Sequence, residues 1–175
     1  MEAVVDLCFK DFKFRMSLET DEEIIRELVS AVFGDREKNG TLEDLNDRYL
    51  LAFDGNELVA MTGINPKTTY AGSEVDWTCT RPDKRGLGLM TVMLGYLLKK
   101  VKEDVYCSCW RFVDSPINLR SQMCTFGFEP VLVPRVQCDS RYSKICVPEK
   151  CNAYREIKGS CHCYEDLYVK RFGGN

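Results

Sequence analysis

The stretch RPDKRGLGLMTVMLGYLLKKV, residues 81–101, constrains this chain more than any other, because a basic, glycine-bearing turn runs without a break into a long apolar segment. Gly86 and Gly88 stand where a helix has to start, and each gives up about 1 kcal/mol of helix propensity. That loss makes sense where a helix N-terminus is to be left bare. Its first N–H groups lack intrahelical partners and carry partial positive charge, so a turn without side-chain bulk can hold a phosphate there. Lys84 and Arg85 add charge. The other reading is that the glycines only turn the chain into a buried helix. The motif is not a P-loop, since the GxxxxGK[ST] spacing is missing, and Thr91 stands where the dinucleotide fingerprint GxGxxG needs its third glycine.

The chain's 175 residues suit one domain, 1–175. Its 24 Lys and Arg against 27 Asp and Glu leave a net charge of -3. Nucleic acid is therefore not expected as a main partner, since its binders show a basic excess or a dense basic face. The opening MEAVVDLCFKDF lacks a basic region followed by an apolar core and does not read as a signal peptide. The longest near-apolar run, Gly86 to Leu98, is shorter than a membrane span. The expectation is a cytoplasmic protein with no membrane association.

Ten cysteines are present, and in that compartment reduced thiols are the first reading. Cys138, Cys146, Cys151, Cys161 and Cys163 crowd a loop at 138–163, long for a hairpin connection. Three readings stand side by side: a structural zinc held by Cys146, Cys151, Cys161 and Cys163, disulfides or redox-sensitive thiols, and plain packing. The lone histidine, His162, lies between two of these cysteines and reads as a surface or metal-adjacent residue.

Hydrophobic periodicity orders the rest. Val4 to Leu18 contains two strand-like stretches, and Thr20-Asp21-Glu22-Glu23 is a capping-box pattern before a helix that ends near Gly34. Thr41-Leu42-Glu43-Asp44 offers a cap for a short second helix. Arg48 to Phe53 and Glu57 to Ile64 are strands around Asp54-Gly55-Asn56, a strong hairpin signal. Ser73 to Thr80 is a further strand, and a helix from about Gly88 to Val101, apolar on nearly every side, is expected to be buried. Val105 to Trp110 follows as a strand, Ser115 to Phe126 as a short helix, and Glu129 to Val136 and Tyr164 to Phe172 as strands. The succession predicts an α+β domain around one mixed central sheet of about six to seven strands, flanked by helices.

A strand ending in Thr80, then Pro82-x-x-Arg85-x-x-Gly88, an apolar helix, a strand, Asn118, and Phe126-Gly127-Phe128-Glu129 together resemble the GNAT family of acyl-CoA-dependent N-acetyltransferases. The hairpin at residues 50–64 and the strand after it look like the middle of that fold. The resemblance spans roughly residues 12 to 137 plus the last strand. It implies acetyl-CoA as co-substrate, with Thr78, Cys79 and Thr80 at the strand end and Arg85, Gly86, Leu87, Gly88, Leu89 and Met90 at the turn binding the cofactor. It also implies that Asn118 hydrogen-bonds the cofactor arm; a helix-capping role is the alternative for that residue.

Acetyl transfer to an amine needs a base that accepts a proton from the ammonium. On SEVDWTCT, residues 73–80, strand alternation puts Glu74, Asp76 and Thr78 on one face and Val75, Trp77 and Cys79 on the other. Glu74 occupies the place where the histone-acetyltransferase branch of the family keeps a glutamate base, and Asp76 is the reserve; solvated carboxylates on a half-exposed strand are the bland alternative. The sequence departs from the family pattern twice. Met90 replaces the last small residue of the turn motif, and Met123, Cys124 and Thr125 stand where many members carry a tyrosine that protonates the leaving thiolate. The expected function is acetyl transfer to a primary amine on a small molecule or peptide, with homodimerisation a further expectation. A catalytically inactive binding or regulatory module of the same fold is the alternative.

Overall fold

The computed structural model describes residues 5–33, 44–66, 72–111, 119–131 and 164–172. The chain divides into two compact units, Met1–Lys102 and Glu103–Asn175. In the first, β1 (Lys13–Met16) leads through a 3-10 turn (Glu19–Asp21) into α1 (Glu22–Phe33); β2 (Tyr49–Asp54), β3 (Glu57–Asn65), β4 (Ser73–Thr80) and α2 (Leu89–Leu98) follow. The four strands pair antiparallel in the order β1-β2-β3-β4. β2 and β3 meet across Gly55-Asn56 with Asp54 paired to Glu57, and Gly55 takes the left-handed φ of +61° that a tight hairpin turn requires.

Both faces of this sheet are covered, which is why β2 and β3 read as continuous apolar runs and not as alternating ones. On one face Ile25, Leu28 and Val29 of α1 pack with Tyr49, Leu51, Met61 and Cys79. Leu89, Met93 and Leu97 of α2 pack with Leu50, Ala52, Val59 and Ala60 on the other, and Phe9, Phe12 and Phe14 close that cluster from the N-terminal side. Burying one such side chain contributes roughly 1.5–3 kcal/mol, so these two layers supply most of the driving force for the unit.

α2 is shorter than its sequence pattern, ending at Leu98 instead of Val101, and its Thr91 is exposed. The α1 cap also differs from expectation. The capping box closes the 3-10 turn ahead of α1, where Asp21 Oδ2 accepts the Leu18 N–H at 2.8 Å while both carboxylate oxygens take the Arg15 guanidinium. The chain therefore enters α1 through an extra 3-10 turn. Of the short helix expected after Thr41, the described part, Asn46 to Arg48, is a turn.

In the second unit β5 (Val105–Arg111) pairs antiparallel with β7 (Tyr164–Lys170), which in turn pairs with β6 (Glu129–Pro130). α3 (Leu119–Thr125) ends in a Schellman motif: Phe128 N–H reaches Met123 O at 3.1 Å and Gly127 N–H reaches Cys124 O at 2.9 Å. The motif needs a left-handed residue after the cap, and Gly127 at φ +77° supplies it. That explains Phe126-Gly127-Phe128 in the sequence: a glycine to turn and an apolar residue, Phe128, buried behind it. The seven strands agree with the α+β class and strand number expected; residues 132–136 of the strand predicted after Glu129 lie outside the described residues.

Candidate cofactor and acyl-transfer site

β4 delivers the chain to Thr80, a 3-10 turn (Pro82–Lys84) reverses it, and Arg85 to Gly88 leads it into α2. Gly86 lies at φ +76° and Gly88, the N-cap residue, at φ +89°. Any other residue would be strained at these angles, so both glycines are required by the backbone path itself. They also leave the turn bare. A Cβ on Gly86 would meet nothing within 4 Å, and one on Gly88 would meet only Phe9 Cζ at 3.5 Å. No side chain caps α2, whose first i→i−4 bond runs from Val92 N–H to Gly88 O at 3.1 Å. The result is an uncapped helix N-terminus with open space beside its glycines, which suits an anion.

Four cations surround it. Lys84 Nζ is 2.6 Å from Asp54, and Arg81 is bonded to Glu57 and Asp83, so both are neutralised by carboxylates. Arg85 Nε donates instead to the Thr80 carbonyl at 3.2 Å. The fourth, Lys10, was not legible as a site residue; its Nζ donates to the Leu87 carbonyl at 3.1 Å from 77 residues away in sequence.

Strand β4 corrects the expected division of faces. Met61 pairs with Cys79 and Gly63 with Asp76, so one residue of β3, Thr62, faces two of β4, Trp77 and Thr78. This is a β-bulge, and Trp77 sits in it at φ +33°. An inserted residue inverts the alternation. Glu74 and Asp76 thus share the α1 face with Trp77 and Cys79, whereas Thr78 turns to the α2 face, where its hydroxyl is 2.8 Å from that of the buried Thr62. Trp77 packs against the α1 core and meets the ring of Phe33 edge-on at 6.2 Å.

On that face Asp76 Oδ2 receives Arg48 Nη2 at 2.7 Å and the Tyr49 hydroxyl at 3.1 Å. Burial, and then the Asp76 carboxylate, push the Tyr49 hydroxyl well above its ordinary range, so it stays a donor at any physiological pH. Gly63 is obligatory beneath this group, since a Cβ there would lie 2.6 Å from the Tyr49 ring. Burial pushes the Cys79 thiol up to about 12, which leaves it a protonated packing group. Glu74 is half-buried and pairs in register with Asn65.

Thus Thr80, Arg85, Gly86, Leu87, Gly88, Leu89 and Met90 come together at one turn; Leu87 is exposed, Leu89 is buried in the α2 core, and Met90 is half-buried. Asn118 and the zinc candidates Cys146, Cys151, Cys161 and Cys163 lie outside the described residues. Among the described residues no group of three or more His, Cys, Asp or Glu side chains could hold a metal ion. No helix among them is long and apolar enough to cross a membrane.

This strand, turn and bare helix within an α+β chain define an acyl-CoA N-acyltransferase fold. Residues 13–109 match the acetyltransferase (GNAT) domain family, and the chain belongs to that family. Solved structures agree on the fold. A GNAT-family acetyltransferase from Bacillus cereus superposes with a TM-score of 0.63 at 13% identity, over 93% of this chain and 99% of that one. An aminoglycoside 6'-N-acetyltransferase complexed with coenzyme A gives 0.62 at 13% identity, covering 94% and 98%. The N-acetylglutamate synthase of Neisseria gonorrhoeae, complexed with coenzyme A and N-acetyl-glutamate, gives 0.54 at 13% identity, covering 95% of this chain and 36% of that one. No curated protein matches the sequence significantly.

Proposed function

We propose that this protein is an acetyl-CoA-dependent N-acetyltransferase acting on a primary amine of a cytoplasmic small molecule or peptide. The observation that carries the reading is the Arg85–Gly88 turn, whose two left-handed glycines leave an uncapped helix N-terminus with open space above it. The pyrophosphate of coenzyme A fits that cradle, because backbone N–H groups and the helix dipole favour negative charge and no side chain occupies the space. Met90, where the family pattern has a small residue, is half-buried, and the Gly86 position stays clear.

When bound, acetyl-CoA supplies a thioester-activated acetyl group. The chain's own part is to orient it and to manage protons. Glu74 is the base, accepting a proton from the acceptor ammonium directly or through water. Asp76 is a poorer candidate than the sequence suggests, since its Oδ2 is already occupied by Arg48 and the Tyr49 hydroxyl on the α1 face.

One observation favours a second reading, a cofactor-binding module without turnover: on α3, Met123 is buried and Cys124 and Thr125 are exposed, leaving no tyrosine there to protonate a thiolate. An acetyl-CoA turnover screen over polyamines, amino acids, aminoglycosides and peptides separates the two. Thioester consumption that depends on one amine class supports the enzyme; saturable coenzyme A binding with no consumption across the panel supports the module.

A further inference from the structure

The bare turn is bracketed by two basic side chains held by main-chain carbonyls. Arg85 and Lys10 each donate to a neutral main-chain carbonyl, Thr80 O and Leu87 O, one at each end of the turn. Among the described residues neither has a carboxylate partner, in contrast to Lys84 and Arg81 beside them. Lys10 is brought there deliberately. Phe9 and Phe12 bridge to each other, the chain turns between them with Lys10 in the left-handed region at φ +52°, and both aromatic rings pack into the α2 core. Phe9 Cζ lies 3.5 Å from the position of a Cβ on Gly88, and the Lys10 ammonium lies 5.1 Å from the Phe9 ring centre.

We propose that Lys10 is a cofactor-phosphate ligand and that the N-terminal hook, Val5 to Phe12, forms a wall of the phosphate site opposite Arg85. This rests on the reading of the turn as the coenzyme A pyrophosphate site. An ammonium has three donors, and Leu87 O takes one, leaving two for phosphate oxygens. The bond to Leu87 O also polarises the Leu87–Gly88 peptide, which strengthens the Gly88 N–H as a donor toward the same anion. A lysine serving only to staple the N-terminal segment would need neither its charge nor its place at the mouth of an anion cradle.

The test is calorimetric titration of the full-length protein with coenzyme A at low and at physiological ionic strength, alongside thermal melting of each unliganded variant. Lys10→Gly relieves the left-handed strain while removing the charge, and Lys10→Arg keeps the charge. Lys10→Gly is expected to raise the coenzyme A Kd about three- to fivefold at low salt, as loss of one exposed ion pair does, and to flatten the salt dependence. Lys10→Arg is expected to stay close to wild type. An unchanged Kd in Lys10→Gly overturns the proposal, and so does an equal loss in Lys10→Arg, which would make the residue a staple. If the wild-type protein itself shows no heat of binding with coenzyme A, the reading of the turn falls, and Lys10 with it.

Discussion

Arg48 Nη2 stands 2.7 Å from Asp76 Oδ2, joining the first residue before β2 to the middle of β4 across the face that carries α1. The guanidinium is nearly buried, and its Nε has no hydrogen-bond partner among the described residues. Burial opposes its charge, but the Asp76 hydrogen bond together with the Asp76 charge and the neighbouring Tyr49 outweighs burial and holds the Arg48 pKa above its ordinary value. Asp76 is therefore first a structural counter-ion.

It follows that Asp76→Asn should destabilise the protein by about 2 kcal/mol, less than the roughly 3–5 kcal/mol for breaking a fully buried pair because both partners keep some solvent contact. Urea unfolding measures this. Arg48→Met in the Asp76→Asn background should recover part of the loss, since it removes the uncompensated charge. Strictly additive single and double variants would show that the two side chains do not interact.

Gly88→Glu should abolish the thermal stabilisation that acetyl-CoA confers on the wild type, because it puts a carboxylate where the phosphate is held. Strain at φ +89° adds a cost of about 1–2 kcal/mol to the unliganded protein, visible as a lower Tm before any ligand is added. The ligand-induced shift is the informative quantity. Equal shifts in wild type and variant would remove the turn from the cofactor site.

Glu74→Gln should lower turnover at neutral pH by about 10²-fold or more while leaving acetyl-CoA affinity unchanged, since the amide keeps the shape and cannot take a proton. The rate should be followed across pH. An unaltered pH–rate profile would reduce Glu74 to a strand carboxylate, and a water chain would then be the route for the proton.

Acid stability should depend on Asp21. Burial by itself would raise its pKa, but the bonds from Arg15 at 2.5 and 2.7 Å and from the Leu18 N–H outweigh burial and hold it below the ordinary carboxylate value of 3.8. A carboxyl more acidic in the folded than in the unfolded state adds stability that is complete above the unfolded pKa and disappears as pH falls through the lowered folded one. Denaturation midpoints between pH 5 and pH 2 should therefore fall more steeply in the wild type than in Asp21→Asn. Parallel curves would show that Asp21 does not report on acid unfolding.

The features legible in the sequence were those carried by near neighbours in the chain. The hairpin at Asp54-Gly55-Asn56, the full extent of β4 from Ser73 to Thr80, and the bare glycine start of α2 follow from turn chemistry, alternation and helix-end physics, each acting within a few residues. What only the tertiary structure decided depends on residues meeting across the fold. The bulge at Trp77 arises where β3 and β4 pair out of step, and one extra residue was enough to move Thr78 away from Glu74 and Asp76 to the opposite face. A period-two pattern cannot register an insertion that exists only relative to a partner strand. Arg48 met Asp76 across 28 positions and Lys10 met Leu87 across 77, and neither pairing has a local signature, since charge attracts through space and not along the chain.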